Sequence, residues 1–241
     1  MLKKTLFQHF AFWARNVRSR EMFDVMAHFV RGRVLDIGGR DFYDIAKEKG
    51  FQHDAWVTVE YTDDHVISSD DPKCSIVLGD GCRLGFKSNS FDTVLNIQVL
   101  EHVFEPIKMF EEIVRVLKPG GHAILLVPHT GVLHELPHHY YNFTKYWLKR
   151  AAASTGMEIV LLKPMGGVFS TMASHMVYFF FQAARTKGYS APEYKRNFWF
   201  FLLFPFMVVY AFIHIPLCLV LSLGDLSEGA NNHLMVIRKP G

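Results

Sequence analysis

Cysteine is scarce in this chain. Three occur among 241 residues, Cys74, Cys82 and Cys218, with no disulfide-like or metal-like spacing, so a disulfide scaffold is excluded and a reducing compartment, the cytosol, is expected. An excess of charge is also missing. Lys and Arg number 26 against 23 Asp and Glu, a net +3, and they are scattered; without a basic stripe to track a phosphate backbone, nucleic acid is not an expected partner. There is no internal repeat and no low-complexity tract. The opening MLKKTLFQHFAFWARNVRSR has a basic start, but His9 and Arg15 interrupt its apolar run and no small-residue cleavage site follows, so it is not read as a secretory signal. Formal charge is absent altogether from FWFFLLFPFMVVYAFIHIPLCLVLSL, Phe198 to Leu223, a run longer than the roughly 20 apolar residues that span a bilayer.

What is present is apolar and aromatic. Half the residues are hydrophobic and 15% aromatic, with 22 Phe, more than a soluble core requires, so part of that surface is expected to meet something apolar. The length suits one α/β domain with elaborations. From Arg33 onward, short β-branched runs (RVLDIG, WVTVE, CSIVLGD, FDTVLNI, GHAILLVP) alternate with helical patterns, the habit of a parallel sheet covered on both faces. In PIKMFEEIVRVL, Ile107, Phe110, Ile113, Val114 and Leu117 share one helical face before KPGG stops it, leaving Glu111 and Glu112 as a solvated face. Residues 146–154 read as a further helix and MEIVLLKP as strand six. VFSTMASHMVYFFFQAA is amphipathic, the polar ARTKGYSAPEYKRN leads into the apolar run, GDLSEGANN breaks it, and HLMVIRKP is a last strand. Phe7, Phe10, Trp13 and Val17 fall at helical spacing, for a helix packed on the domain or lying on a membrane surface. The expected division is an N-terminal helix over residues 1–30, a sheet core over 31–166 and 231–241, and a hydrophobic helical insertion over 167–230.

VLDIGGRDFYD sits at the first strand-to-helix turn, where glycines let a ligand approach the backbone and a helix N-terminus offers N–H groups. The dinucleotide fingerprint GxGxxG is absent, since the turn reads Gly38, Gly39, Arg40, Asp41. Glu60 then closes strand two, Asp80 closes strand three in LGDGCRLGF, and SFDTVLNIQVLEHV and RVLKPGG follow in order. This series resembles the class I S-adenosylmethionine-dependent methyltransferases, in particular the group whose fourth strand leads into LEHV. The resemblance covers Arg31 to Pro164 and the last strand. It implies a Rossmann-like doubly wound sheet of about seven strands with the last antiparallel, and S-adenosyl-L-methionine as cofactor. It places Asp36, Gly38 and Gly39 at the methionine part, Glu60 at the ribose, Asp80 and Gly81 at the adenine, and Gln98 with Leu100 at the floor after strand four. Arg40 departs from the pattern, standing where the family has a further glycine. A methyltransferase-like module that binds a partner or membrane and no longer catalyses therefore stays open; a nicotinamide-dependent oxidoreductase is disfavoured by the missing fingerprint and by KPGG.

Beyond strand five, PHTGVLHELPHHYYNFT resembles the loop that closes the family's substrate side. Its histidines 129, 134, 138 and 139 are candidate contacts because imidazole titrates near neutral pH; His134 or His139 is expected to face the methyl donor as catalytic base, with an oxygen of a small or lipid-like acceptor as target. Their spacings match no standard zinc pattern and only Glu135 lies beside them in sequence, so no metal is expected. His102 is read as support for the loop and His122 as a core or edge residue. Because HLMVIRKP must rejoin the sheet, both ends of the apolar run return to one domain. With Pro205 and Pro216 interrupting it, the run is expected to form two or three helices lying in the interface at the cytosolic face of a membrane, a monotopic contact.

Overall fold

The computed structural model describes residues 19–65, 70–186 and 195–241. The spacing of Phe7 to Val17 lies outside the described residues; residues 19–29, α1, are helical and bury Met22 and Met26. Seven strands form one sheet in the order β3-β2-β1-β4-β5-β7-β6. They are β1 (Arg33–Ile37), β2 (Ala55–Glu60), β3 (Cys74–Leu78), β4 (Phe91–Ile97), β5 (Leu117–Pro128), β6 (Glu158–Met165) and β7 (Asn232–Arg238). The first five are mutually parallel, and β7 enters antiparallel between β5 and β6. Covered on both faces, the central strands read as near-continuous apolar runs: Leu234 to Ile237 of β7 are fully buried.

Helices lie on both faces. On one side α1 and α2 (Phe42–Glu48) pack Met26, Tyr43 and Ala46 with Trp56 and Leu95. On the other, α3 (Pro106–Val116) and α4 (Lys145–Ser154) pack Phe110, Ile113, Leu148 and Ala151 with Phe91 and Val94. Two local expectations are corrected. Leu117 lies off the helical face, because α3 ends at Val116 and Leu117 opens β5, which includes KPGG; Pro119 disfavours helical backbone at Lys118, and Lys118 Nζ is held by Asp92 at 2.8 Å. Nor is Glu112 part of a wet face. It accepts the Leu84 N–H at 2.7 Å and pairs with Arg115, whose guanidinium also donates to the Phe86 and Leu84 carbonyls at 2.7 and 2.9 Å, pinning the loop after β3.

After β6 the chain leaves the sheet as a helical hairpin. α5 (Val168–Ala183) and α6 (Phe198–Leu221) run antiparallel, with Phe179 against Phe204 and Phe180 against Phe212 at 6.2 and 6.1 Å between ring centroids. The base is tied by Asp225, which accepts the N–H groups of Phe169 and Ser170 at 2.8 Å each and so caps α5. Pro205 and Pro216 do not break the apolar run; both lie inside one 24-residue helix. Each proline removes a single hydrogen bond, to Phe201 and to Phe212, and the flanking turns carry the helix past the loss.

Candidate cofactor and acceptor site

The parallel strands end along one edge, and the turns that leave it carry the acidic residues singled out in the sequence. Asp36, one residue before the end of β1, is buried, and neither of its oxygens has a hydrogen-bond partner of good geometry. Burial first, and the neighbouring Glu60 carboxylate second, push its pKa up to about 8. The next turn folds over it: a Cβ on Gly39 would stand 1.9 Å from Asp36 Oδ2, so only glycine fits. Gly38 has φ +70°, and a Cβ there would press on Val99 at 2.8 Å.

Arg40 takes the left-handed conformation, φ 48°, that a glycine adopts without strain. Its backbone N–H donates to Glu60 Oε1 at 2.6 Å, so the buried carboxylate at the end of β2 holds the strained turn in place. Asp80 is exposed just beyond β3, and its Oδ1 accepts the Cys82 N–H at 2.8 Å. Gly81 is buried under Met109, whose methyl would lie 2.2 Å from a Cβ. Gln98, at φ 57° just past β4, donates through Nε2 to Asn232 Oδ1 of β7 at 3.1 Å. The fold thus brings Asp36, Gly38, Gly39 and Glu60 together at one turn. Asp80 and Gly81 lie at the next turn along the edge, and Gln98 on the other side of β1.

The loop from β5 to α4 crosses this edge, and Arg40 Nη1 meets Glu135 at 3.7 Å across it. His134 and His139 stand together, Nδ1 to Nδ1 at 3.1 Å, and both rings lie edge-on to His102, at 4.9 and 5.6 Å. His102 Nδ1 lies 2.7 Å from the His138 carbonyl, so it buttresses the loop as read from the sequence; burial lowers its pKa to about 4. Burial also lowers that of His139, helped by His134. His129 and His138 are turned elsewhere, to the Phe143 carbonyl and the Tyr140 hydroxyl.

Sequence reasoning missed Glu101. Its side chain is fully buried, both oxygens lack hydrogen-bond partners, and burial raises its pKa to about 8. Oε1 lies 3.8 Å from His102 Nε2. Only adjacency within LEHV marked it, because its partners from the β5–α4 loop are more than thirty residues away.

Residues 51–125 match the family model described as a methyltransferase domain. An uncharacterized methyltransferase of Mycobacteroides abscessus is 42% identical over 55 residues, which is 23% of this chain and 21% of that protein. The chain thus matches about a fifth of the length of its curated relatives. Among solved structures, a putative methyltransferase of Haloferax volcanii, in complex with a methyltransferase activator, superposes with a TM-score of 0.60 at 17% identity, over 96% of both chains. The Haemonchus contortus phosphoethanolamine N-methyltransferase 2 in complex with S-adenosyl-L-methionine gives 0.56 at 18% identity, over 95% of this chain and 53% of that one. The match over residues 51–125 is to a methyltransferase domain, and the sheet order and superpositions give the chain the fold of the S-adenosylmethionine-dependent methyltransferases it resembles.

The residues at the sheet edge fit that cofactor. Gly39 and Gly81, at the turns that leave β1 and β3, leave no room for a side chain, and the buried Asp36 side chain, with no hydrogen bond of good geometry, is negative charge or a proton donor beneath the first of these turns.

Proposed function

We propose that the chain transfers a methyl group from S-adenosylmethionine to an oxygen of a small or lipid-like acceptor at the cytosolic face of a membrane. The observation that carries this reading is the placement of the histidine loop across the strand edge that holds the glycine turn, joined to it through Glu135 and Arg40. The cofactor supplies an electrophilic methyl on a sulfonium, so no protein nucleophile is needed. On this reading Asp36 and the glycine turn orient the amino-acid end, Glu60 the ribose and Asp80 the adenine, while Gln98, tied to Asn232, fixes the floor. His134 accepts the hydroxyl proton with His139 behind it, and the loop keeps water out while the oxygen is aligned.

Membrane contact is supported by α6: only 11% of its most apolar 18-residue stretch is buried. The first half of α5 is locked to the domain, since Thr171 donates to the Gly229 carbonyl at 2.8 Å and His175 Nε2 lies 2.6 Å from the Thr130 carbonyl. Past His175, α5 has only residues 176–183 left, about 12 Å of helix against a hydrocarbon core of roughly 30 Å. The hairpin therefore dips into one leaflet, and the protein is monotopic.

Calorimetry with S-adenosylmethionine and S-adenosylhomocysteine tests the core of the proposal. Glu60→Ala should weaken binding by about 1–3 kcal/mol if buried ribose hydroxyls depend on it. Equal affinity in the folded variant removes the ribose assignment. With a turned-over acceptor, His134→Ala should lower the rate on the order of 10²-fold at nearly constant cofactor affinity. The strained Arg40 favours a second reading, a methyltransferase-like module that binds a partner or membrane and does not catalyse; absence of any cofactor binding would decide for it.

A further inference from the structure

We propose that Glu101, His102 and His134 form a binding site for one divalent transition-metal cation. One ligand atom from each of the three residues lies within 4.8 Å of the others. The protonation pattern favours ligation. His102 Nδ1 faces the His138 carbonyl at 2.7 Å and must donate to it, which leaves the Nε2 lone pair turned toward Glu101. His134 Nδ1 faces the Val132 carbonyl at 3.0 Å, so its lone pair is also on Nε2. A ring nitrogen anchored on a backbone carbonyl, with the opposite nitrogen free, is the arrangement of metal-bound histidine.

Glu101 supplies the independent observation. A fully buried carboxylate with neither oxygen hydrogen-bonded is costly unless a positive charge joins it. No Lys or Arg ion pair reaches it among the described residues; the one basic side chain within salt-bridge distance is the His102 imidazole. A cation among these three groups would neutralise the carboxylate and use both lone pairs. Ligand atoms around tetrahedral zinc stand about 3.4 Å apart for bonds of about 2.1 Å, so the cluster has to contract by roughly 1 Å. His134 sits on a long loop that can supply the movement. His139, whose Nδ1 accepts the His134 backbone N–H at 3.4 Å, holds that ring from behind.

Two imidazoles and one carboxylate select zinc, iron(II), cobalt or manganese over magnesium and calcium, and leave at least one position open. An acceptor hydroxyl in that position would be acidified by the cation, lose its proton to water and stay bound as the oxyanion, so that with the metal bound His134 serves as a ligand and no longer as the base. That role rests on the methyl-transfer reading above; the site itself does not.

The full-length protein, stripped with chelator and dialysed, is titrated with Co²⁺ and separately with Zn²⁺, and metal content is measured after desalting. One equivalent of cobalt is expected, with a visible d–d band and no thiolate charge-transfer band, which separates the site from Cys74, Cys82 and Cys218. Glu101→Gln and His134→Ala should each weaken binding about 10- to 100-fold, and His129→Ala should leave it unchanged. Because Glu101 is buried and its variant could misfold, His134→Ala, in the loop, with an unchanged circular dichroism spectrum, is the deciding protein. Less than a tenth of an equivalent in the parent chain, or undiminished uptake by His134→Ala, overturns the proposal. S-adenosylmethionine calorimetry on the same metal-free sample reports on the methyltransferase reading separately.

Discussion

Phenylalanine does opposite work in the two parts of this molecule. In the sheet domain Phe91 and Phe110 are 0% exposed and set the packing between β4, β5 and α3; in the insertion Phe206 and Phe212 of α6 are 72% and 69% exposed. Both segments are rich in the same residue, yet one has satisfied the hydrophobic effect internally and the other has not. A helix apolar on every side has no face left to turn to water. The domain is therefore covered by its own contacts, whereas the hairpin leaves broad apolar surface uncovered, which the membrane reading proposed above would cover. The junction between them is polar: Asp225 on the first turn of α5, Thr171 on Gly229, His175 on Thr130.

The sharpest way to break this contrast is to charge the exposed rings. Replacing Phe201, Phe206 and Phe212 together by Glu should abolish binding to phospholipid vesicles, a loss above about 10³-fold, since each ring contributes roughly 1.5–3 kcal/mol on transfer from water. The melting temperature of the sheet domain should stay within a degree or two. Sedimentation with vesicles reads the first and calorimetry the second; retained binding would mean that α6 does not meet the bilayer. Its counterpart is Phe110→Ala, which should cost about 3–5 kcal/mol in denaturant unfolding and leave vesicle binding unaltered in the protein that remains folded.

Much of this contrast could be read from the sequence, and the parts that could not share a physical cause. The strands themselves and the glycine turn are marked by local patterns, β-branched runs and glycines that the backbone itself demands, whereas the antiparallel last strand was implied only by the family resemblance. The continuity of α6 was misjudged because proline was weighed as a full stop, although inside a long helix it forfeits one bond. Leu117 and Glu112 were assigned by helical period, but Pro119 ends the period early and the partners of Glu112 come from a loop nearly thirty residues back. The amphipathic spacing of Phe7 to Val17 lies outside the described residues and adds nothing to either side. Glu101 was missed for the same reason as Glu112: its neighbourhood is built by tertiary contact, and no spacing along the chain announces it.

A smaller effect sharpens the comparison within the domain, between core that only packs and core that buries an ionisable group. Asp36 carries a pKa near 8 in the folded chain, against 3.8 for the free side chain, because burial and Glu60 disfavour its charge. Between those values the native state holds a proton that the unfolded state has released. Stability should accordingly be full below about pH 4 with respect to this group and fall as pH rises toward 8. Asp36→Asn removes the carboxylate while keeping its shape, and should raise stability at pH 8 by on the order of 2 kcal/mol, with a flatter pH profile and weaker cofactor binding. Urea titrations at pH 5 and pH 8 measure the slope; an identical slope in the variant would mean that Asp36 is ionised in the native state.

The smallest expected effect lies at the junction. Asp225 accepts two backbone N–H groups of the first turn of α5 and the Ser170 hydroxyl, and this hydrogen bonding holds its pKa below the usual carboxylate value although partial desolvation opposes it. Asp225→Ala leaves those donors to water and should cost about 1 kcal/mol. The loss should be local, since the sheet does not depend on this cap. Hydrogen exchange should then quicken at Phe169 and Ser170 and leave Leu234 to Ile237 of β7 protected to the same degree. Uniform quickening through β7 would mean that hairpin and sheet unfold as one unit, and that the hairpin is as much a part of the domain's core as any of its strands.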